Sequence, residues 1–145
     1  MSQINLEIPK ELLTLVEDGI WPKDEKESMR QNIVLLITRE NLKKVAPDED
    51  YIYFYAPPFE IVDSLIKENR EFWIEHGAID SIEPEKCLMI GDFGLGSDAA
   101  IILDYSKDLS KPTVKRQVWS NGGNYWDTIA PSFKEFVAKI ELKIK

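Results

Sequence analysis

Two short apolar runs, separated by glycine and aspartate residues, form the stretch that most constrains the fold of this chain. The stretch covers residues 89–105, with the sequence MIGDFGLGSDAAIILDY. Apolar, β-branched runs bounded by turn residues are typical of strands, and glycine permits the positive φ angles of tight turns. The sequence therefore predicts strands over residues 86–91 and 98–105, with Gly91, Gly94 and Gly96 serving the turn between them.

Helical and extended patterns alternate along the rest of the chain. Asp24, Thr38 and Ser132 are candidate caps of helices over residues 25–31 and 39–45 and of a last helix, and apolar periodicity predicts further helices over residues 9–17 and 59–76. An apolar run predicts a strand or extended segment over residues 33–37, an aromatic run predicts a strand over 51–55, and alternating apolar and polar side chains predict a strand over 114–119. We therefore expect one α+β domain over residues 1–145, in which helices cover one side of a twisted, mainly antiparallel or mixed sheet.

The charge of the chain is unevenly distributed. The formal net charge is −8, and residues 1–104 carry 22 acidic and 10 basic side chains, whereas residues 105–145 carry 4 and 8. A strongly acidic surface repels phosphate backbones, so we expect no direct binding to nucleic acids. The acidic surplus is explained either by solubility or by charge complementarity to a basic partner.

The apolar runs, the first residues and the single cysteine indicate where the chain is located. The apolar runs are much shorter than the roughly 20 residues that span a bilayer, so no membrane span is expected. The first residues, MSQINLEIPKELL, lack the basic and apolar regions of a secretory signal, so we expect a cytoplasmic location. Cys87 is the only cysteine and is expected to be a small buried side chain.

Few residues have the spacing of a catalytic site. Gly91, Gly94 and Gly96 are spaced as in some phosphate-binding loops, but they precede a strand rather than a helix. His76 is the only histidine, and its predicted place at a helix C-terminus favours an interaction with the helix dipole. No cofactor is predicted.

Asp92 and Asp98 are candidate partner-binding residues because they flank the glycine turn of an acidic segment. The same carboxylates are also typical of strand-end and turn hydrogen bonding. A third hypothesis is that Asp92 and Asp98, together with Glu85 or Asp127, bind a divalent metal ion, since carboxylate oxygens are suitable ligands.

Trp126 is the third candidate partner-binding residue. It lies beside a predicted turn, as do Trp21 and Tyr125, and tryptophan and tyrosine are enriched in protein interfaces. Most aromatic side chains of a small domain lie in its core, so burial is the competing interpretation for all three residues.

Three segments between residues 89 and 136 carry a family resemblance: Ile90-Gly91-Asp92 with its glycine-rich turn, the predicted strand at 99–104, and WDTIAPSFKEF at 126–136. They resemble the Smi/Knr-type proteins of the SUKH superfamily. The last segment is similar to the family ending W-x-x-I-A-x-S-F-x-x-F. The resemblance implies an α+β fold, no catalytic residues and a protein partner. Many bacterial relatives resemble immunity proteins that neutralise polymorphic toxins, and fungal relatives regulate cell-wall synthesis.

The sequence thus favours a non-enzymatic protein-binding module, and the resemblance adds the expectation of an immunity protein with a cognate toxin domain as partner. Two alternatives stay open. One is a regulatory or scaffold protein, and the other is a metal-dependent enzyme that uses the acidic hairpin.

Overall fold

An antiparallel sheet is the scaffold on which the other elements pack. The computed structural model describes residues 6–32, 36–93 and 99–142. Within them, six strands form one sheet with the order β1-β3-β4-β5-β6, in which β2 also pairs with β3. The strands are β1 (Tyr53–Phe54), β2 (Glu60–Ile61), β3 (Cys87–Asp92), β4 (Ala100–Asp104), β5 (Thr113–Val118) and β6 (Tyr125–Ala130). The predicted α+β fold with a mainly antiparallel sheet is confirmed.

Six α-helices occur in the described ranges: α1 (Lys10–Glu17), α2 (Glu25–Met29), α3 (Arg39–Leu42), α4 (Val62–Glu68), α5 (Arg70–His76) and α6 (Phe133–Ile140). Three predicted caps are confirmed, because Asp24, Thr38 and Ser132 each accept a hydrogen bond from the backbone N–H three residues later. Gly19 follows α1 with a φ of 75°, which suits a glycine after a helix end. No helix in the described part of the chain is long and apolar enough to cross a membrane.

Helices cover both faces of the sheet. Along β4, Ile101 and Leu103 belong to a large apolar cluster with α1, α3 and α6, whereas Ala100 and Ile102 belong to a smaller cluster with α4 and α5. Because successive side chains of a strand point to opposite faces, the two clusters lie on opposite sides. We call the side of the large cluster the front face and the other the back face.

The prediction of helices on one side only is therefore wrong. The physical reason lies in β4, whose first four residues are all apolar and all buried. A strand of this composition needs cover on both faces, as central strands of covered sheets do.

The longest predicted helix, over residues 59–76, is three elements in the structure. Glu60–Ile61 pairs with β3 as β2, and the helix is interrupted at Asn69, whose φ of −144° and ψ of 65° are not helical. The interruption lets α4 pack against β2 and β3, while α5 extends toward β5 and β6. Apolar periodicity does not reveal such a change of direction, because both segments bury one face.

One strand was not predicted, and two strand predictions change. Residues 125–130 form β6, which the sequence did not predict, because its first four residues are largely exposed and show no apolar alternation. The strand predicted at 51–55 is limited to β1. Of the strand predicted at 33–37, residues 33–35 lie outside the described ranges, and Leu36 and Ile37 form a bend.

Gly91 meets a packing constraint rather than a turn requirement. It lies inside β3, and the glycines with positive φ in the described residues are Gly19 and Gly123. A Cβ atom on Gly91 would lie 2.5 Å from the carbonyl oxygen of Tyr53 on β1. The prediction that Gly91 serves the turn is therefore wrong. Gly94 and Gly96 lie outside the described residues.

Candidate functional site

The C-terminal end of α5 is fixed to the back face by three side chains of β5, β6 and their connecting turn. The side-chain amides of Gln117 and Asn124 donate to the carbonyl oxygen of His76, at 2.6 and 2.9 Å. The indole N–H of Trp126 donates to the carbonyl oxygen of Gly77 at 2.9 Å. These bonds satisfy carbonyl groups that a helix end leaves without an intrahelical partner. The position of α5 on the sheet is thereby defined.

An aromatic stack of Phe72, His76 and Trp119 lies at this end of α5. The ring centroids of His76 and Trp119 are 5.1 Å apart and their planes differ by 15°. Phe72 lies 5.3 Å from His76 and 6.3 Å from Trp119. Phe72 and His76 are four residues apart and so share one face of α5. Trp119 is 43% exposed, so the stack presents an aromatic surface to solvent.

The helical layer that carries the aromatic stack is acidic. Residues 62–86 contain seven acidic and three basic side chains, a formal net charge of −4. Glu71 and Glu75 are exposed on α5, and each directly precedes a member of the stack, Phe72 or His76. Glu71 and Glu75 are four residues apart and so form a row of their own on the exposed side of α5. Oε2 of Glu75 lies 3.7 Å from Nε2 of His76, so this carboxylate borders the aromatic surface.

A cavity of about 340 Å³ lies beside the aromatic stack, between α5 and the sheet. We call it the Asp92 cavity. Phe72 belongs both to the stack and to the cavity wall, and the hydroxyl of Tyr55 donates a hydrogen bond to Oδ2 of Asp92 at 2.5 Å. The lining residues are Tyr55, Asn69, Phe72, Trp73, Met89, Asp92, Ala100 and Gln117.

Two of the three predicted partner-binding residues lie on the back face near α5. Asp92 is half-buried and lines the cavity that bears its name. Trp126 is half-buried, packs against the smaller cluster and bonds to the end of α5. Trp126 lies opposite Gln117, which also lines the cavity, so Trp126 is a neighbour of the Asp92 cavity. Asp98 lies outside the described residues.

Among the carboxylates proposed for a metal site, the described residues Asp92, Glu85 and Asp127 do not come together. Asp92 lies opposite Ala100 on the back face, whereas Asp127 lies opposite Arg116 on the front face. Glu85 precedes β3, at the end of that strand remote from Asp92. Within residues 6–32, 36–93 and 99–142, no group of three histidine, cysteine or acidic side chains could hold a metal ion.

A buried ion pair lies at the other end of the back face. Oδ2 of Asp104 is 2.7 Å from Nζ of Lys115, and its Oδ1 accepts a bond of 2.9 Å from the backbone N–H of Ser106. The pKa of the Asp104 carboxyl is lowered. Burial alone would raise this pKa, but the hydrogen bonds from Lys115 and Ser106 stabilise the charged form and outweigh the effect of burial.

Cys87 lies opposite Asp104 in the ladder of β3 and β4 and is fully buried. Burial, with the charge of Asp104, raises the pKa of its thiol to about 12. The expectation of a small buried side chain is confirmed, and this pKa is unlike that of reactive cysteines.

Sequence reasoning did not identify the aromatic stack. The spacing of Phe72 and His76 was a signal that both share a helix face, but nothing local brings Trp119 to them. Trp21, a candidate interface residue, is instead fully buried, with its indole N–H bonded to the carbonyl oxygen of Tyr55 at 2.8 Å. Tyr125 is 50% exposed.

Comparisons with protein-family models, with curated proteins and with solved structures found no match to this chain. The resemblance to the SUKH superfamily therefore stays a prediction from the motifs at residues 89–136. A functional proposal has to rest on the geometry and charge of the back face.

Proposed function

We propose that this chain is a non-enzymatic protein-binding module that binds a basic protein through its back face, as an immunity protein neutralises a toxin domain. The observation that carries the proposal is the half-exposed aromatic stack at the end of α5, with Glu75 beside His76 and Glu71 exposed on the same helix. Tryptophan is among the residues that contribute most to protein interfaces, particularly where polar groups surround it.

Trp119 is held in place before any partner arrives. Its indole lies against the imidazole of His76, and its N–H donates to Oε1 of Gln117 at 3.3 Å. A side chain fixed in this way loses less rotamer freedom on binding, so more of its contact energy contributes to affinity. This rigidity supports a role as an interface anchor.

The charge of the layer supports a basic partner. Exposed carboxylates on one face raise the association rate with a basic protein and disfavour acidic ones. Toxin domains that cleave nucleic acids need basic surfaces to bind phosphate backbones. An acidic face on an immunity protein would compete with the nucleic acid for such a surface.

The first test is to co-express the intact chain with toxin domains encoded beside its gene. We expect one of these domains to co-purify with the chain and to lose its toxicity. Failure of all of them to bind or to be neutralised contradicts the immunity role. Capture of a host protein instead would favour the regulatory or scaffold alternative.

A charge-reversal pair tests the surface itself. The double substitution Glu71→Lys and Glu75→Lys should lower affinity for the bound toxin domain at least about tenfold at low salt, because attraction becomes repulsion. The control is Glu17→Lys with Glu40→Lys, two exposed carboxylates on α1 and α3. Calorimetric titration should show a near-normal affinity for the control. Equal losses in both double variants would contradict binding at the back face.

A further inference from the structure

Aromatic and thioether groups form much of the lining of the Asp92 cavity. Phe72 and Trp73 both line it, and their rings meet edge to face, with centroids 6.1 Å apart and planes inclined by 89°. Tyr55 and Met89 add further aromatic and thioether surface. The faces of aromatic rings attract cations through the ring quadrupole, most strongly where water is partly excluded.

Asp92 is the one charged residue among the described lining residues of this cavity. The hydrogen bond from the hydroxyl of Tyr55 to Oδ2 orients its carboxylate. Because Asp92 is half-buried, its attraction for a cation is stronger than that of a fully solvated carboxylate. Aromatic walls combined with a carboxylate are suited to an organic cation rather than to an anion or a neutral group.

We infer that the Asp92 cavity receives an arginine side chain of the bound partner, an inference that rests on the proposed function. Arginine fits this lining better than lysine, because the planar guanidinium stacks on aromatic rings and is more weakly hydrated than an ammonium group. The volume of about 340 Å³ is ample for such a group.

The position of the cavity links it to the aromatic stack. Phe72 contacts the rings of His76 and Trp119, and it also lines the cavity. The cavity therefore adjoins the surface that a partner bound at Trp119 would cover. The net charge of −4 on residues 62–86 favours a cation at this place.

A titration of the intact chain with small probes tests the inference. The probes are N-acetyl-arginine methylamide, N-acetyl-lysine methylamide, tetramethylammonium and, as a neutral control, N-acetyl-norleucine methylamide. Heteronuclear NMR would follow the indole N–H of Trp73 and the methyl group of Met89. We expect the arginine probe to shift both signals saturably and the neutral control to leave them unchanged.

Substitutions show whether the cavity is responsible. Asp92→Asn should weaken binding of the arginine probe at least about tenfold, because the cation loses its carboxylate partner. Asp80→Asn is the matched control, an exposed aspartate in the same helical layer, and should bind the probe normally. Phe72→Leu removes an aromatic wall while keeping apolar volume and should also weaken binding. It serves as a second variant if Asp92→Asn does not fold.

Several outcomes would overturn the inference. These are the absence of saturable shifts with the arginine probe, equal shifts with the norleucine probe, and equal losses in Asp92→Asn and Asp80→Asn. Tighter binding of tetramethylammonium than of the arginine probe would also contradict the inference, because it would identify the ligand as a free organic cation rather than a partner side chain.

The titration needs no partner protein, so it fails independently of the proposed function. Saturable binding of arginine in a chain that binds no toxin would contradict the immunity role alone. A bound toxin domain without any response to the arginine probe would contradict the cavity inference alone.

Discussion

His76 and Trp119 are joined both by their rings and through one glutamine. The imidazole and the indole stack with centroids 5.1 Å apart. Gln117 donates to the backbone oxygen of His76 at 2.6 Å and accepts from the indole N–H of Trp119 at 3.3 Å. The end of α5 and the exposed tryptophan are therefore held by the same buried side chain. The orientation of Trp119 is thus fixed, although its side chain is partly exposed and is not part of the core.

Replacement of Trp119 should separate binding from stability. Trp119→Ala should lower the free energy of unfolding by about 1 kcal/mol or less, since the side chain is 43% exposed. The same substitution should weaken partner binding by about 2 kcal/mol, roughly 30-fold, if Trp119 is an anchor. Urea unfolding and calorimetric titration measure the two effects.

Tyr125→Ala is the matched control for this experiment. Tyr125 is 50% exposed at the same end of the sheet, but it lies opposite Val118 in the ladder, one position away from the back-face residue Trp126. We expect Tyr125→Ala to leave affinity within about twofold. A larger loss of binding in Tyr125→Ala than in Trp119→Ala would place the interface elsewhere.

Trp126 should contribute mainly to stability. Trp126→Phe removes the indole N–H that donates to the carbonyl oxygen of Gly77, and we expect a loss of about 1 kcal/mol in urea unfolding. Trp126→Ala also removes the packing against the smaller cluster, and about 3 kcal/mol is expected. Unchanged stability in Trp126→Phe together with lost partner binding would instead make Trp126 a contact residue.

Gly91 should not tolerate a side chain. Gly91→Ala places a Cβ atom 2.5 Å from the carbonyl oxygen of Tyr53, so β1 has to move away from β3. We expect a loss of about 2 kcal/mol in the free energy of unfolding. Gly122→Ala is the matched control, because its nearest neighbour is Oγ of Ser120 at 3.9 Å. Equal stability of the two variants in chemical unfolding would contradict the close approach of β1.

The buried pair of Asp104 and Lys115 should make stability depend on pH. The pKa of Asp104 is lowered from its ordinary value of 3.8, so its contribution is present above that value and is lost as the pH falls through the lower folded-state pKa. Asp104→Asn should cost about 3 kcal/mol at neutral pH, because it leaves a half-buried ammonium without its partner. Urea unfolding at a series of pH values measures this cost.

The same series provides the control for Asp104. The stability difference between the unsubstituted chain and Asp104→Asn should shrink as the pH falls below about 4, where the Asp104 carboxyl of the unfolded chain becomes protonated, and should be lost once the pH is below the lower folded-state pKa. Asp80→Asn, which changes an exposed aspartate, should differ little from the native chain at any pH. A difference for Asp104→Asn that stays constant down to strongly acidic pH would contradict the ion pair.

Local sequence signals predicted the helix starts well. Asp24, Thr38 and Ser132 were identified from residue type, supported by spacing at Asp24 and Ser132, because a cap bonds to a backbone N–H only three residues away. The apolar residues of β4 likewise predicted a strand.

Features that depend on distant partners were not predictable. Asn69 breaks the helical pattern because α5 extends to side chains of β5 and β6, some 40 residues later in the chain. The need for glycine at 91 comes from the backbone of Tyr53, and the stack that presents Trp119 comes from α5. The candidate site is built from these long-range contacts, so sequence reasoning located Asp92 and Trp126 near it but missed its centre.

Hydroxyl-radical footprinting of the chain with a toxin domain that co-purifies with it tests the central claim most directly, because it reports on individual exposed side chains. Trp119 is 43% exposed, and the comparison residues Met29 and Tyr125 are 55% and 50% exposed. Binding through the back face predicts that Trp119 is protected from oxidation in the complex, while Met29 and Tyr125 react as in the free chain. Unchanged oxidation of Trp119, with protection of Met29 or Tyr125, would contradict it.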